Sequence, residues 1–139
     1  MEQHFSIKVL SGIYSILKVK DRPGLPEIVN RPGNGFFSLT RLAGEWTIIC
    51  EAREMPNEYL VVDSSHGWRV FLIDEPLTFD MIGVIYRTTE ILKDADISVM
   101  AISAFSTDVF LVRKDDLQPS LRALQAGGFS VSYDRGMKL

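Results

Sequence analysis

Side chains that serve metal and redox chemistry are scarce in this sequence of 139 residues, which contains one cysteine and two histidines. Cys50 has no second cysteine with which to form an internal disulfide, as is typical of proteins from a reducing cytoplasm. One cysteine together with His4 and His66, which are far apart in the sequence, does not make a recognisable set of metal ligands. We therefore expect neither a metal centre nor a bound cofactor.

The sequence also lacks long apolar runs and clusters of positive charge. No stretch of about 18 apolar residues occurs, so no helix is expected to span a membrane. Residues 1–5 lack the basic segment and apolar core of a secretory signal, which favours a cytoplasmic protein. The formal net charge is −3, and lysines and arginines occur at most as ordinary pairs, which argues against a nucleic-acid partner.

What the sequence does contain is enough apolar residues for a packed core, since 46% of its residues are hydrophobic and 24% are charged. The length suits one ordinary domain or two very small ones. In the second half, the elements predicted from hydrophobic periodicity are a strand at Trp68–Ile73, a helix at about 80–95, strands at Ile97–Phe105 and Val109–Val112, a helix at about 116–126 and a strand at Phe129–Tyr133. This β-α-β-β-α-β order predicts an α+β, ferredoxin-like fold with one four-stranded antiparallel sheet over residues 68–134 and both helices on one face.

The first half is rich in strands and poor in helix. The predicted strands are Phe5–Val9, Ile13–Val19, Phe36–Arg41, Trp46–Ala52 and a short one at 59–62. Between them, Asp21–Gly35 holds three prolines and three glycines and is predicted to be mostly loop. The polar segment Asp63–Gly67 is the predicted linker, which divides the chain into a degenerate N-terminal unit at 1–64 and a C-terminal domain at 65–139.

Catalysis finds little support in the sequence. Neither histidine has a serine, cysteine or carboxylate nearby at a spacing that indicates a triad. Cys50 lies in a predicted strand, where a buried structural thiol is favoured over a reactive one. The glycines of Pro32–Phe36 do not match a phosphate-binding loop and precede a strand instead of a helix. We therefore expect a protein that is not an enzyme.

The turn Ser103–Asp108 presents three hydroxyls, a carboxylate and an aromatic ring between two apolar strands. Serine and aspartate are common turn formers, so a purely structural role is one interpretation. The functional interpretation is that Asp108 and the adjacent carbonyls meet an ammonium group.

The start of the first predicted helix is the natural complement of this turn. Ile82, Ile85, Tyr86, Thr89 and Leu92 follow the spacing of one helical face, with Asp80 as the predicted N-cap. The free N–H groups and positive dipole end of a helix N-terminus suit a carboxylate, although an N-cap side chain already occupies part of such a site. Gly83 costs about 1 kcal/mol relative to alanine in a helix, so it needs a reason, either close packing of helix on sheet or room for a ligand.

Several segments together resemble the ACT-domain family: Gly67–Arg69, Glu75–Gly83, Ile97–Asp108 and Leu111–Arg113, with Phe36–Arg41 and Trp46–Cys50 in the first half. The chain is most similar to compact bacterial tandem-ACT proteins related to cytosolic arginine sensors. The resemblance implies paired βαββαβ units with a joint antiparallel sheet and an amino acid bound at the interface between units. The ligand-binding residues that it implies are Thr78, Phe79, Asp80, Ile82, Gly83, Ser103, Phe105, Ser106, Thr107 and Asp108, with Phe37 and Ser38 in the first half. The Gly/Pro-rich stretch replaces a full helix there, which puts a second equivalent pocket in doubt.

These observations favour a free-standing sensor or regulatory protein that binds a small amino acid and responds through its state of association, with a homodimer expected. Two alternatives stay open. One is a protein-interaction module with a vestigial pocket, and the other is a small enzyme of unrecognised type.

Overall fold

The computed structural model describes residues 4–20, 35–54, 61–75 and 82–134. In order along the chain, the strands are β1 (Ser6–Val9), β2 (Tyr14–Lys20), β3 (Ser38–Leu42), β4 (Glu45–Glu51), β5 (Val61–Ile73), β6 (Met100–Ser103), β7 (Asp108–Arg113) and β8 (Ser130–Tyr133). The helices are α1 (Val84–Asp94), between β5 and β6, and α2 (Leu117–Ala126), between β7 and β8. The predicted α+β class and the β-α-β-β-α-β order of the second half are confirmed. None of the helices in these ranges is long and apolar enough to cross a membrane.

The chain divides into two compact units, but not at the predicted place. The central unit is Gly12–Trp68, and the two-segment unit combines Met1–Ser11 with Arg69–Leu139. The predicted linker Asp63–Gly67 is wrong, because it lies inside strand β5. Its small polar residues pair with β2 through their backbones, and backbone pairing does not require apolar side chains. Gly67, with φ +81°, lies at the β-bulge between the partners of Tyr14 and Ser15.

The central unit is an antiparallel sheet. Strand β2 pairs with β4 on one side and with the first part of β5 on the other, and β3 forms a hairpin with β4. Its buried apolar cluster comprises Leu17, Val19, Trp46, Ile48 and Cys50, with Phe37, Leu39 and Val61 packed against it.

The two-segment unit contains five strands instead of the predicted four. Strand β1 lies between β5 and β8, antiparallel to β5 and parallel to β8, while β7 pairs with both β5 and β6. The prediction of a four-stranded, wholly antiparallel sheet is therefore wrong. The N-terminal strand takes the position beside β5 because Ile7 and Val9, both fully buried, complete the core there.

Both helices pack on one face of this sheet, as predicted. Alternate residues of three strands point into the core between sheet and helices, and the rings of Phe71 and Phe110 stack with centroids 5.5 Å apart. The helices contribute Val84, Leu92, Leu117, Leu121 and Leu124 to the same cluster.

The residues predicted to share one face of α1 do not form its buried face, apart from Leu92. The buried residues of the helix are Val84, Thr88 and Leu92, whereas Ile85 and Tyr86 are exposed. The helix begins at Val84 with Gly83 as its N-cap, so the predicted N-cap Asp80 is wrong as well. A stripe through positions 84, 88, 91 and 92 faces the sheet, and a second stripe that includes Ile85 and Tyr86 faces outward.

Candidate functional site

The start of α1 is a helix terminus without a side-chain cap. Gly83 has φ +87° and ψ 5°, and as a glycine it has no side chain that could cap the first turn. The first intrahelical bond runs from Arg87 N–H to the Gly83 carbonyl, so the preceding N–H groups have no intrahelical partner. The first turn also holds no acidic residue of its own to interact with the positive end of the helix dipole.

Gly83 is required by its backbone conformation and not by close packing. A Cβ built at this position would meet nothing within 4 Å. A left-handed φ disfavours every residue with a Cβ, which by itself explains the glycine. The suggestion of close helix–sheet packing is therefore wrong, and open space lies beside the backbone here.

The surroundings of this helix start are apolar and open. The side chain of Ile82 is 97% exposed and that of Tyr86 is 66% exposed. The Tyr86 hydroxyl donates a hydrogen bond to the Glu90 carboxylate one turn later on the helix.

The turn between β6 and β7 is held by its own polar groups. Ser103 Oγ donates to Asp108 Oδ1 over 2.8 Å, and the Ala104 N–H donates to the Thr107 carbonyl over 2.9 Å. Thr107 Oγ1 donates to the Ile73 carbonyl over 2.7 Å, which fastens the turn to the end of β5. Phe105 at the tip is 80% exposed.

The chain path places this turn at the same end of the unit as the start of α1. Strand β6 runs towards the turn and α1 ends five residues before β6 begins, so the C-terminus of α1 lies at the far end and its N-terminus at the turn end. Asp108 alternates with Phe110 and Val112, whose side chains lie in the core under the helices. Its carboxylate therefore points to the helix-covered face of the sheet.

The remaining predicted site residues are Thr78, Phe79, Asp80, Phe37, Ser38 and Ser106. Thr78, Phe79 and Asp80 lie outside the described residues. Phe37 and Ser38 belong to the central unit, where Phe37 packs against the buried apolar cluster and Ser38 pairs with Ile49 in the β3–β4 hairpin. Ser106 is an exposed residue of the β6–β7 turn.

Sequence reasoning missed a groove along α1. It has a volume of about 620 Å³ and is open to solvent. Its lining comes from one side of α1 and from the segment that leads into β6: Tyr86, Thr89, Glu90, Lys93 and residues 96–99. Tyr86 and Thr89 lie on the helical face predicted from the sequence, but the spacing did not show that this face lines a groove.

The buried thiol of Cys50 is unsuited to nucleophilic chemistry. The residue is 2% exposed within β4, as predicted for a structural thiol. Burial, with a smaller effect of Glu54 and Glu51, raises the pKa of Cys50 to about 11, so the thiol stays protonated near neutral pH. No group of three or more His, Cys, Asp or Glu side chains in the described part of the chain could hold a metal ion.

The family model of the ACT domain matches residues 63–126. Residues 63–126 belong to the ACT-domain family. The match begins in β5 and ends with the last residue of α2, so the ACT domain includes the start of α1 and the β6–β7 turn. The structure adds β1, which lies beside β5 although it precedes the match by more than 50 residues.

A mouse protein, cytosolic arginine sensor for mTORC1 subunit 1, is 33% identical over 124 residues, which are 86% of this chain and 36% of that protein. The chain thus spans about a third of the length of this relative. A crystal structure of a protein from Agrobacterium tumefaciens is 27% identical and superimposes over 99% of both chains with a TM-score of 0.82. The regulatory subunit of aspartate kinase from Thermus thermophilus, at 7% identity, shares the fold with a TM-score of 0.59, over 86% of this chain and 93% of that one.

Proposed function

We propose that the ACT domain binds one free amino acid between the start of α1 and the β6–β7 turn, and that the chain acts as a non-catalytic regulatory protein. The observation that carries the proposal is the start of α1, where the N-cap residue Gly83 has no side chain to cap the helix. Asp108 lies at the same end of the unit, on the helix-covered face of the sheet. Unpaired N–H groups at a helix N-terminus suit the α-carboxylate, and a carboxylate on the facing turn suits the α-ammonium.

The family supports this assignment of ligand class. The mouse relative is named as an arginine sensor, and a protein of the same fold is the regulatory subunit of an amino-acid kinase. Ile82, Phe105, Ser106 and Thr107 would surround the backbone part of the ligand. Thr78, Phe79 and Asp80 remain proposed contacts, and the cytosol is the proposed location.

Asp108 already accepts one hydrogen bond, from Ser103 to Oδ1. Among the described residues, Oδ2 has no partner. The Ser103 bond orients the carboxylate, and Oδ2 remains available to an ammonium group.

Titration calorimetry of the full chain with each of the twenty standard amino acids tests the proposal. We expect measurable binding for a subset, with L-arginine as the first compound to test. Two derivatives of the amino acid that binds most tightly test each half of the site. Its amide lacks the carboxylate charge, and its N-acetyl derivative lacks the ammonium group. Each should bind at least tenfold more weakly than the parent amino acid, because each loses a charge-assisted hydrogen bond. Absence of binding for all twenty would contradict the proposal.

We further propose that the chain forms a homodimer. Ile82, Tyr86 and Phe105 are large apolar side chains with most of their surface exposed, and exposed apolar patches commonly mark interaction sites. The same surface supports the alternative function of an interaction module with a vestigial pocket. Sedimentation at tens of micromolar should show a dimer, and a dimer that binds no amino acid would favour the alternative.

A further inference from the structure

Strand β1 is an inner strand of the sheet that carries the proposed site. It pairs with β5 on one side and with β8 on the other, and its side chains Ile7 and Val9 are fully buried. It lies outside the segment matched by the ACT family model. A coupling between β1 and the site would therefore link the matched segment to a strand outside it.

The first residue of β1 is fastened to the end of β5 by both polar groups of its backbone. The Ser6 N–H donates to Glu75 Oε1 over 2.7 Å, across 69 residues of sequence. The Ser6 carbonyl accepts from the Asp74 N–H over 2.8 Å. Lys8 Nζ lies 3.4 Å from Asp74 Oδ1, with both side chains about a third exposed.

The Glu75 bond differs from the other two contacts. Glu75 is partly buried, and a carboxylate that accepts from a backbone N–H makes a charge-assisted hydrogen bond, which is stronger than a neutral one. The Lys8–Asp74 pair is more exposed and contributes less. Glu75 is therefore the main side-chain contact between Ser6 and the end of β5.

The end of β5 also contacts the other side of the proposed site. The Ile73 carbonyl accepts from Thr107 Oγ1 of the β6–β7 turn. Three consecutive residues, 73–75, thus hold β1 and the turn, and the chain continues from them towards Gly83 and α1. A shift of Glu75 would be transmitted through Ile73 to Thr107, and thus to the turn that bears Asp108.

We propose that Glu75 is a positioning residue through which pairing of β1 and occupancy of the amino-acid site stabilise each other. The proposal rests on the proposed function. Because linkage is reciprocal, a bound amino acid must tighten the pairing of Ser6, and loss of the Ser6–Glu75 bond must weaken binding by the same factor.

Three variants of the full chain isolate this bond. Glu75→Ala removes the acceptor, whereas Glu75→Gln keeps an acceptor oxygen and removes the charge. Ser6→Pro removes the donor, and the first residue of a strand tolerates proline. Asp115→Ala is the matched control, since it removes an exposed carboxylate from the same unit, in the 3₁₀ turn before α2.

Two quantities are measured for each protein. The first is the affinity for the amino acid that binds most tightly, and the second is the rate of amide hydrogen exchange at the backbone N–H groups of residues 6–9. In the native chain, the bound amino acid should slow exchange of the Ser6 amide at least tenfold. Glu75→Ala and Ser6→Pro should each weaken binding about tenfold, and the double variant no further, because both remove one bond. Glu75→Gln should retain more affinity than Glu75→Ala, and Asp115→Ala should match the native chain.

Two results would overturn the coupling while leaving the proposed function intact. One is equal affinity of the native chain and Glu75→Ala for the amino acid, and the other is an exchange rate of the Ser6 amide that does not change when the amino acid binds. Absence of binding in the native chain would overturn both. Should Glu75→Ala fail to fold, the affinities of Glu75→Gln and Ser6→Pro decide the outcome, since a purely structural bond would lower stability in them without weakening binding.

Discussion

Arg87 on α1 donates from Nη2 to the carbonyl oxygen of Gly127, the residue that follows α2, over 2.8 Å. Its guanidinium carbon also lies 5.5 Å from the centroid of the Phe129 ring. One side chain thus joins the first helix to the end of the second and to the start of β8.

Replacement of Arg87 by alanine should lower the free energy of unfolding by about 1.5–3 kcal/mol, because a charged hydrogen bond and a cation–π contact are lost together. Arg87→Lys should recover about half of this loss, since lysine keeps the charge but not the planar donor group. Urea unfolding measures both values. Arg122→Ala, an exposed arginine on α2, serves as control and should change stability by no more than about 0.5 kcal/mol. Equal values for Arg87→Ala and Arg122→Ala would show that the contact contributes nothing.

Gly83→Ala should destabilise the protein by about 1–2 kcal/mol, because the Cβ of alanine clashes with its own backbone at a left-handed φ. The neighbouring residues do not add to this loss, since a Cβ at this position meets nothing within 4 Å. Gly83→Asn should cost less, since asparagine tolerates this conformation and is a favourable N-cap residue. Thermal and urea unfolding of the two variants check the difference. An equal loss in both would mean that volume, and not backbone conformation, decides the position.

Asp108→Asn should weaken amino-acid binding by roughly 10- to 150-fold, the equivalent of about 1.5–3 kcal/mol for one charge-assisted hydrogen bond. The asparagine side chain still accepts from Ser103, so the melting temperature should change little. Ser103→Ala is the converse control, because it removes the bond within the turn and keeps the carboxylate. It should lower stability by about 0.5–1.5 kcal/mol and change affinity by less than about threefold. If Asp108→Asn binds as tightly as the native chain, the carboxylate serves the turn alone.

Stability should fall in base through two buried groups of the central unit. Burial raises the pKa of Cys50 from 9.0 to about 11 and that of Tyr14 from 10.0 to about 12. Each folded-state pKa lies above the unfolded one, so the stabilisation is complete below pH 9 and is lost as the pH rises towards 11 and 12. Each group contributes a slope of up to about 1.4 kcal/mol per pH unit within its own window.

Urea unfolding at intervals from pH 8 to pH 11 measures this loss. Cys50→Ala should remove the part of the slope that begins near pH 9 and leave the part that begins near pH 10. An unfolding free energy that stays constant to pH 11 in the native chain would contradict the prediction.

Local sequence patterns were sufficient for the elements of the ACT domain. Alternation and helical spacing predicted the helices and strands between Trp68 and Tyr133 to within a few residues, with two exceptions. Strand β5 begins at Val61 instead of Trp68, and the strand predicted at Ile97–Phe105 shortens to Met100–Ser103. Such patterns depend only on residues that are close together in the sequence, and the hydrogen bonds of a helix also join residues only four positions apart. The ends of the elements were predicted less well. Helix α1 begins at Val84 after the N-cap residue Gly83, and the left-handed φ of this glycine cannot be read from the spacing of apolar residues.

The position of β1 could not be predicted in the same way. Its alternating residues predicted a strand, but nothing in Ser6–Val9 indicates that its partners are β5 and β8. Likewise, the polarity of Asp63–Gly67 suggested a linker, although its backbone pairs with β2. Pairing between distant strands depends on the whole chain, and polarity alone does not exclude a strand.

For the candidate site, residue chemistry indicated the turn and the helix start but not their internal bonds. Ser103, Thr107 and Asp108 were identified as a polar group, yet the sequence did not show that Ser103 bonds to Asp108 and Thr107 to Ile73. Which side of α1 faces outward decides whether Tyr86 belongs to the core or to the groove. Helical spacing alone did not settle this, because the helix carries apolar residues on both sides, Val84 and Leu92 on the buried one and Ile85 and Tyr86 on the exposed one.

The place of β1 between β5 and β8 has a consequence for how the protein is made. Ile7 and Ser132 meet in the finished sheet, where Ser132 Oγ donates to the Ile7 carbonyl, although they lie 125 residues apart in the sequence. At translation rates of 5–20 residues per second, roughly 6 to 25 seconds separate the synthesis of these two residues. During that interval β1 has left the ribosome without its second neighbour, and its apolar residues are exposed to unwanted pairing. The native sheet closes only after β8 has emerged, so the synthesis of β8 sets the earliest moment at which this sheet can be complete.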